Sequence, residues 1–384
     1  MKFYIIAGET SGDYIGGLLI DAIKAERRGS ASDGAEDEFF GIGGNNMRKA
    51  GLDSLFPIDQ INIMGFFEIL PQILRIKKLI DLAARDIIRK NPQILVTIDA
   101  PGFTFRVAKK VRELAPEIKL VHIVAPSVWA YKPGRAAKYA KLYDHLLTLL
   151  PFEPQYFTKL GLESTCIGHP ILEQTFFKKS PALKAEMGCD KDAKLIAITP
   201  GSRKGEIARH MPVIRQACDL LACTHKIKAI FVQPDDSNIH QISSFLSGAK
   251  FDYSFSTDRL KAFAASDCAL AKSGTNSLEI AASKTPMIVG YKMHPMSFFL
   301  LKMMIKVKYA SLINIIPNRE IIPEYIQSEF NKDNIIFALS QLINDKKRAQ
   351  DQVKGAEKIL ESIGFSNGEK PSEIAAKIII KMIS

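Results

Sequence analysis

Residues 195–223 read LIAITPGSRKGEIARHMPVIRQACDLLAC, and this stretch indicates how the chain folds. The apolar run 195–199 predicts a buried strand, Pro200-Gly201-Ser202-Arg203 predicts a turn, and 206–223 predicts a helix. One face of that helix is apolar at helical spacing, formed by Ile207, Met211, Ile214, Ala217 and Leu221. A buried strand that turns directly into an amphipathic helix is a building block of parallel α/β sheets.

Short apolar strands alternate with helix-length segments along the rest of the chain. The predicted strands are 3–7, 39–42, 94–98, 120–123 and 146–149, followed after residue 170 by 195–199, 229–232, 268–271 and 287–289. Two such series predict an α/β protein with two doubly wound, Rossmann-like domains that bind ligands near the carboxyl ends of strands. We expect domains at 1–170 and 171–345, and a helical segment at 346–384 that packs back across them.

Composition narrows the class of partner. The chain has 384 residues, 47% of them hydrophobic and 24% charged, as in a globular protein. Its five scattered cysteines indicate reduced thiols in a cytoplasmic protein, and no spacing suggests a metal site. Residues 1–7 read as a strand and not as a signal peptide, and no run reaches the about 20 apolar residues of a membrane span. The net charge of +11 favours phosphorylated substrates or an anionic membrane surface over nucleic acid.

The turn 200–203 is a candidate phosphate site. Gly201 permits close approach of the backbone, and the helix amino terminus offers free N–H groups to an anion. Ser202 lies beside Arg203, which adds a bidentate phosphate donor. The alternative is an ordinary helix start with a surface arginine.

A second turn of this kind follows the strand 268–271. Ser273 and Thr275 can cap the next helix, and Gly274 again permits close approach. Glu279 lies four residues after Thr275, where its carboxylate can accept both hydroxyls of a ribose. The alternative is an acid that stabilises its own helix dipole.

In the first domain, two features are candidates for the acceptor side. The loop after the first strand carries Glu9, Ser11 and Asp13, and its acidity suits a hydroxyl-rich sugar better than a bare phosphate. Asp99 ends the apolar strand 94–98, where apolar surroundings would raise its pKa toward that of a general base. The alternative for Asp99 is an N-cap of the helix that starts near Phe103.

Two apolar segments with flanking lysines are typical of interfacial membrane-binding helices. The first, 61–76, includes Met64, Phe66, Phe67, Ile69, Leu70 and Ile73. The second, 296–308, includes Phe298, Phe299 and Leu301. The alternative is that each segment covers the core or a subunit interface.

Along nearly its whole length the sequence resembles the lipid-A-disaccharide synthase family. The motifs that carry the resemblance are Gly8-Glu9-Thr10-Ser11-Gly12-Asp13, Gly41-Ile42-Gly43-Gly44, Met64-Gly65, Asp99-Ala100-Pro101, Pro126-Ser127-Val128-Trp129-Ala130, Pro151-Phe152-Glu153, Gly168-His169-Pro170, Pro200-Gly201-Ser202-Arg203, Ser273-Gly274-Thr275, Leu278-Glu279 and Pro323-Glu324. The resemblance implies a GT-B fold of two facing domains and an inverting glycosyltransferase without metal or organic cofactor. It implies transfer of 2,3-diacylglucosamine from UDP to the 6-hydroxyl of 2,3-diacylglucosamine 1-phosphate, by a peripheral protein on the cytoplasmic face of the inner membrane.

The resemblance also implies roles for residues. Asp99 would be the base for the acceptor hydroxyl, and Arg203 with Ser202 would hold the diphosphate. Nucleotide phosphate would lie against Ser273, Gly274 and Thr275, and the ribose against Glu279. The family stretch that faces the donor would contribute Asn314, Glu324 and Gln327.

The sequence departs from the family pattern after Asp99, where a second acid is usual and Gly102 stands instead. Glu9 and Asp13 therefore remain rival bases. The other functions to consider are a lipid-linked peptidoglycan glycosyltransferase, a UDP-N-acetylglucosamine 2-epimerase, and a non-catalytic nucleotide-binding module at a membrane surface. A homodimer is also left open.

Overall fold

The computed structural model describes residues 1–28, 37–61, 69–274, 276–364 and 368–384, without the side chains of 69–73 and 300. The described chain forms two compact units. One contains Met1–Glu173 and the last helix of the chain, and the other begins at Gln174. The predicted helical segment 346–384 is thus divided between the units, one helix to each.

The first unit is built on a seven-stranded parallel sheet in the order β3-β2-β1-β4-β5-β6-β7. The strands are β1 (Lys2–Ala7), β2 (Glu38–Ile42), β3 (Asp53–Ser54), β4 (Ile94–Ile98), β5 (Lys119–Ile123), β6 (His145–Thr148) and β7 (Glu163–Cys166). The helices between them are α1 (Thr10–Arg28), α2 (Asn45–Lys49), α3 (Ile69–Lys90), α4 (Thr104–Leu114), α5 (Arg135–Ala140) and α6 (Gln155–Thr158).

The second unit is built on a six-stranded parallel sheet in the order β10-β9-β8-β11-β12-β13. The strands are β8 (Lys194–Ile198), β9 (Ile227–Val232), β10 (Asp252–Ser256), β11 (Cys268–Lys272), β12 (Met287–Tyr291) and β13 (Glu324–Ile326). The helices are α7 (Pro181–Glu186), α8 (Lys204–Leu221), α9 (Ile239–Leu246), α10 (Arg259–Ala265), α11 (Asn276–Ala282), α12 (Pro295–Met304), α13 (Leu312–Ile315), α14 (Lys332–Asn344) and α15 (Lys346–Ser362), after which α16 (Pro371–Lys381) returns to the first unit.

Apolar side chains bury both faces of the central strands. Every residue of β4 is buried, and helices cover the sheet on either side. The last helix, α16, packs on α1 and contributes Ala375, Ala376 and Ile379 to one core cluster. In the second unit, the predicted apolar face of α8 is buried, with Ile207 and Leu221 at 0% exposure. The α/β class with two doubly wound sheets is confirmed.

The nine predicted strands are all present, with ends that differ by a residue or two. The strands that sequence reasoning missed are β3, β7, β10 and β13, and each forms an edge of its sheet. Within the described part of the chain, no helix is long and apolar enough to cross a bilayer.

Candidate functional site

Asp99 stands directly after β4, in a strained turn. Asp99 and Ala100 have φ angles of 50° and 45°, in the left-handed region that residues with a Cβ rarely adopt. The hydroxyl of Thr104 donates to the carbonyl oxygens of Asp99 at 2.6 Å and Ala100 at 3.0 Å, and so holds the turn. The N-cap residue of α4 is Phe103, and no side chain caps the helix. The alternative that Asp99 is the N-cap is therefore wrong.

The turn at Asp99 is also held from the side of β1. A Cβ added to Gly8 would lie 2.1 Å from the Cβ of Ala100, so only glycine permits this approach of the two loops. Burial raises the pKa of the half-buried Asp99 carboxyl, and the backbone N–H of Ala100 partly offsets that shift. A strained, partly desolvated carboxylate with a raised pKa fits a general base.

A buried aromatic cluster lies on β5 and the chain that follows it. Burial raises the pKa of Tyr139 in this cluster, and the Asp99 charge is close enough to add to that shift. His122 on β5 packs against the rings of Tyr139 and Tyr143, each with centroids 5.1 Å away. The Nδ1 atom of His122 lies 2.8 Å from the hydroxyl oxygen of Thr97. Burial lowers the pKa of His122 to about 3, so the cluster is uncharged at neutral pH.

Asp13 has a different role from the one that the acidic loop suggested. Its carboxylate is 3% exposed and accepts from the backbone N–H groups of Gly44, Asn46 and Met47 at 2.7–3.1 Å. The side-chain amide of Asn46 adds a fourth bond at 2.9 Å. With four acceptor positions used, Asp13 anchors the glycine loop ahead of α2 and is poorly placed to act as a base. Glu9, Thr10 and Ser11 are exposed where α1 begins.

The turn 200–203 connects β8 to α8 as the sequence predicted. Gly201 has a φ of 121°, and a Cβ on it would lie 2.8 Å from the Cβ of Glu206. Ser202 and Arg203 are exposed, with 80% of the Arg203 side chain accessible. The side-chain amide of Asn238 donates to the Ser202 carbonyl at 3.0 Å and fixes the turn from the loop after β9.

Glu206 is the residue of this turn that sequence reasoning missed. It is 3% exposed, and its Oε2 accepts from Ser202 N at 3.3 Å and from Lys272 Nζ at 3.0 Å. Its Oε1 accepts from the Tyr291 hydroxyl at 3.2 Å and lies 4.0 Å from Arg203 Nη1. Burial alone would raise the pKa of Glu206, but Lys272 and Arg203 hold it below its usual value. The turn therefore contains an ionised carboxylate, and Lys272 joins Arg203 as a second cation.

The second predicted turn follows β11. Thr275 lies outside the described residues, Gly274 has a φ of 145°, and Ser273 Oγ donates to the Ala310 carbonyl at 2.9 Å. Glu279 on α11 is 9% exposed, and its Oε1 accepts from Arg259 Nε at 2.9 Å. Burial raises the pKa of Glu279, and the Arg259 charge opposes that shift. Arg259 was not predicted.

Asn314, Glu324 and Gln327 bind backbone groups near this turn. The carboxylate of Glu324 accepts from the N–H groups of Ala310 at 2.7 Å and Ser311 at 2.9 Å, and from Asn314 Nδ2 at 2.8 Å. Asn314 is 0% exposed. Gln327 Oε1 accepts from Met293 N at 2.8 Å. The carbonyl oxygen of Ala310 also accepts from Ser273. Asn314 and Glu324 therefore shape the loop that contacts the turn after β11.

The two apolar segments are described to different extents. Met64, Phe66 and Phe67 lie outside the described residues, and Ile69, Leu70 and Ile73 belong to α3 without described side chains. The second segment forms α12, where the most exposed side chains are Met296 at 71%, Phe299 at 64% and Met303 at 64%. Phe298 and Leu301 are half-buried.

Comparisons with known proteins identify the family of the chain. The family model described as lipid-A-disaccharide synthetase matches residues 3–378. A lipid-A-disaccharide synthase of Rickettsia bellii (strain OSU 85-389) is 52% identical over 381 residues, 98% of each chain. The enzyme of the same name from Rickettsia prowazekii (strain Madrid E) is 50% identical over 383 residues, again 98% of each chain.

Solved structures show the fold. A UDP-GlcNAc 2-epimerase from Neisseria meningitidis, bound to UDP-GlcNAc, has a TM-score of 0.63 at 13% identity, covering 99% of this chain and 100% of that one. The calicheamicin glycosyltransferase CalG4 has a TM-score of 0.59 at 12% identity, covering 99% and 98%. Both likenesses indicate the GT-B class. Family match and sequence identity go further: the chain belongs to the lipid-A-disaccharide synthase family, hexosyltransferases of lipid A biosynthesis.

Proposed function

We propose that Asp99 and Arg203 carry the transfer that this lipid-A-disaccharide synthase family member catalyses between a UDP-sugar and a lipid acceptor. The donor is UDP-2,3-diacylglucosamine and the acceptor 2,3-diacylglucosamine 1-phosphate. Asp99 takes the proton of the acceptor 6-hydroxyl as its oxygen attacks the anomeric carbon and the bond to UDP breaks. The product is the β-1,6-linked disaccharide 1-phosphate, with inverted anomeric configuration.

The observation that carries this proposal is the state of Asp99. Its backbone is strained, burial raises the pKa of its carboxyl, and the Thr104 hydroxyl holds the turn through the carbonyl oxygens of Asp99 and Ala100. Strain of about 1–3 kcal/mol per residue persists only where the surrounding structure enforces it, and it concentrates at functional sites. The rival Asp13 has its acceptor positions filled by backbone and side-chain N–H groups.

The departing UDP needs positive charge, which the turn 200–203 and its neighbour supply. Arg203 extends into solvent, Lys272 stands beside Glu206, and the amino terminus of α8 adds its dipole. We assign the diphosphate to Arg203, Ser202 and Lys272, and the ribose to Glu279, whose Oε1 is oriented by Arg259. Glu206 offsets one of these two cations, and the remaining positive charge beside a helix amino terminus can stabilise the diphosphate charge that forms as the bond to UDP breaks.

Asp99→Asn tests the base. Release of UDP from the diacylglucosamine donor, with and without the monosaccharide phosphate, should fall by about 10²–10⁴-fold. UDP affinity, measured by calorimetry, should stay unchanged because the residues that we assign to UDP all belong to the second unit, whereas Asp99 belongs to the first. Asp13→Asn is the matched control, and its folded fraction should keep the wild-type turnover number. Wild-type turnover by Asp99→Asn would eliminate Asp99 as the base.

We further propose that α12 lies on the cytoplasmic face of the inner membrane. Met296, Phe299 and Met303 expose large apolar side chains, and Lys302, Lys306 and Lys308 follow closely, as suits anionic headgroups. The double change Phe299→Ser with Met303→Ser should reduce binding to vesicles rich in anionic lipid. Phe337→Ser on α14 is the control, since Phe337 is 61% exposed but lies outside this helix.

Unchanged vesicle binding by the double variant would contradict this role of α12. A second copy of the chain is the other candidate cover for the helix. Light scattering distinguishes the two, because a dimer interface at α12 would make the double variant smaller than the wild type in solution without lipid.

A further inference from the structure

His210 lies on α8, 1% exposed, and its two ring nitrogens bond to two different loops. Nδ1 lies 2.7 Å from the carbonyl oxygen of Pro200, which can only accept a hydrogen bond. Nδ1 therefore carries the proton. Nε2 lies 2.9 Å from the backbone nitrogen of Lys292, which can donate to it, and 3.1 Å from the Lys292 carbonyl oxygen. With Nδ1 donating to Pro200 and Nε2 accepting from the Lys292 N–H, the ring is a neutral imidazole, the form that burial favours.

The two bonds join functional segments. Pro200 begins the turn that carries Ser202 and Arg203. Lys292 follows β12, two residues ahead of the His294 that precedes α12. The next residue, Met293, is held by Gln327 through both its N–H and its carbonyl, and Arg209 donates to the Lys292 carbonyl at 3.2 Å. One imidazole thus connects the turn 200–203 to the residues that lead into α12.

The surroundings keep this imidazole neutral. The rings of Tyr291 and Phe330 meet it edge-on, each with centroids 5.4 Å away. Burial lowers the pKa of His210, while the Pro200 carbonyl, the Glu206 charge and the Lys292 backbone raise it, and the Lys272 charge lowers it further. Burial prevails, so the pKa of His210 lies below its usual value and Nε2 remains an acceptor at neutral pH.

We propose that His210 is a positioning residue that couples the turn 200–203 to the residues that lead into α12. Through this coupling, UDP binding orders the segment 292–304. The inference rests on the proposed role of the turn 200–203 in holding UDP. Coupling of this kind is reciprocal: whatever fixes α12, including a bilayer, tightens UDP binding by the same factor. Docking of α12 and the affinity of the turn 200–203 for UDP are therefore linked through His210.

Two substitutions of His210 each keep one of its two hydrogen bonds, to Pro200 or to Lys292, and remove the other. In His210→Asn, the amide nitrogen can replace Nδ1 and keep the bond to Pro200. In His210→Gln, the longer side chain can place its amide oxygen near Nε2 and keep the bond to Lys292. We expect His210→Asn to bind UDP within about twofold of wild type, and His210→Gln about tenfold more weakly, the factor that corresponds to one lost hydrogen bond.

Hydrogen exchange gives the second measurement. In the wild type, saturating UDP should slow amide exchange of the segment 292–304, and either substitution should abolish that slowing even where UDP still binds. A purely structural histidine would change exchange equally with and without UDP. The wild-type comparison needs no variant, so it decides the matter even if both variants fold poorly. Absence of slowing there, or its persistence in His210→Asn, would overturn the proposal.

Arg203→Ala distinguishes this inference from the proposed function. If Arg203→Ala leaves UDP affinity intact, the turn does not hold the diphosphate and the inference fails with it. If Arg203→Ala weakens UDP binding while the histidine variants keep the coupling, only the link through His210 is wrong.

Discussion

Glu206→Ala should be among the most damaging single changes in the second unit. The carboxylate is 3% exposed and bonds Ser202 N, Lys272 Nζ and the Tyr291 hydroxyl. Its removal leaves a partly buried N–H, a partly buried hydroxyl and a cation without their acceptor. Breaking a buried ion pair by removing one partner costs roughly 3–5 kcal/mol of unfolding free energy. Because the Lys272 side chain keeps 23% exposure, we expect the lower end, about 3 kcal/mol.

Glu206→Gln and Lys272→Met separate charge from shape. Glutamine retains an acceptor for Ser202 and Lys272, and its amide can donate to the Tyr291 oxygen, so only the charge is lost, at about 1 kcal/mol. The double variant Glu206→Ala with Lys272→Met should be less unstable than the sum of its parts, by about 1–3 kcal/mol. That coupling energy measures the ion pair itself.

The assay is urea unfolding followed by far-ultraviolet circular dichroism, with the wild type, both single variants and the double variant. Strictly additive free energies would refute the reasoning, since they would mean that Lys272 and Glu206 do not interact across the 3.0 Å contact. A cost below about 1 kcal/mol for Glu206→Ala would refute it too, because unpartnered buried groups cost more than that.

Two further perturbations test the first unit. His122 has a pKa of about 3 when folded against 6.5 when unfolded, so its contribution is present above about pH 6.5 and is lost as pH falls toward 3. At pH 5 the loss is about 2 kcal/mol, and urea unfolding monitored by the single tryptophan, Trp129, should show this loss diminished in His122→Gln. Asp13→Ala should cost about 3 kcal/mol because four N–H groups lose their acceptor, and a shift below about 1 kcal/mol in the same assay would contradict the anchoring role.

Strand prediction succeeded in the centre of each sheet and failed at the edges. Central strands such as β4, with the sequence ILVTI, are buried on both faces and therefore read as continuous apolar runs. The edge strands β7 (ESTC) and β10 (DYSFS) are polar and half-exposed, since solvent or loops replace one neighbour. Their sequences carry no apolar run that distinguishes them from loops.

Prediction of the site had a similar limit. Asp99 and Arg203 could be proposed from the sequence because each follows an apolar strand, which is a local signal. Lys272 and Arg259 were missed because their carboxylate partners lie 66 and 20 residues away in sequence. Lys272 reaches Glu206 because β11 pairs with β8 in the sheet, and a single sequence does not reveal strand order.

The packing of α16 on α1 has a consequence for how the chain is made. The last helix completes the core of the first unit, although the whole second unit is translated between Glu173 and Pro371. At about 5–20 residues per second, the ribosome needs roughly 10–40 s for those intervening residues. During that time the apolar surface of α1 that α16 will cover has no permanent neighbour. The first unit can therefore complete its core only after synthesis ends, although all seven strands of its sheet are made before the second unit begins.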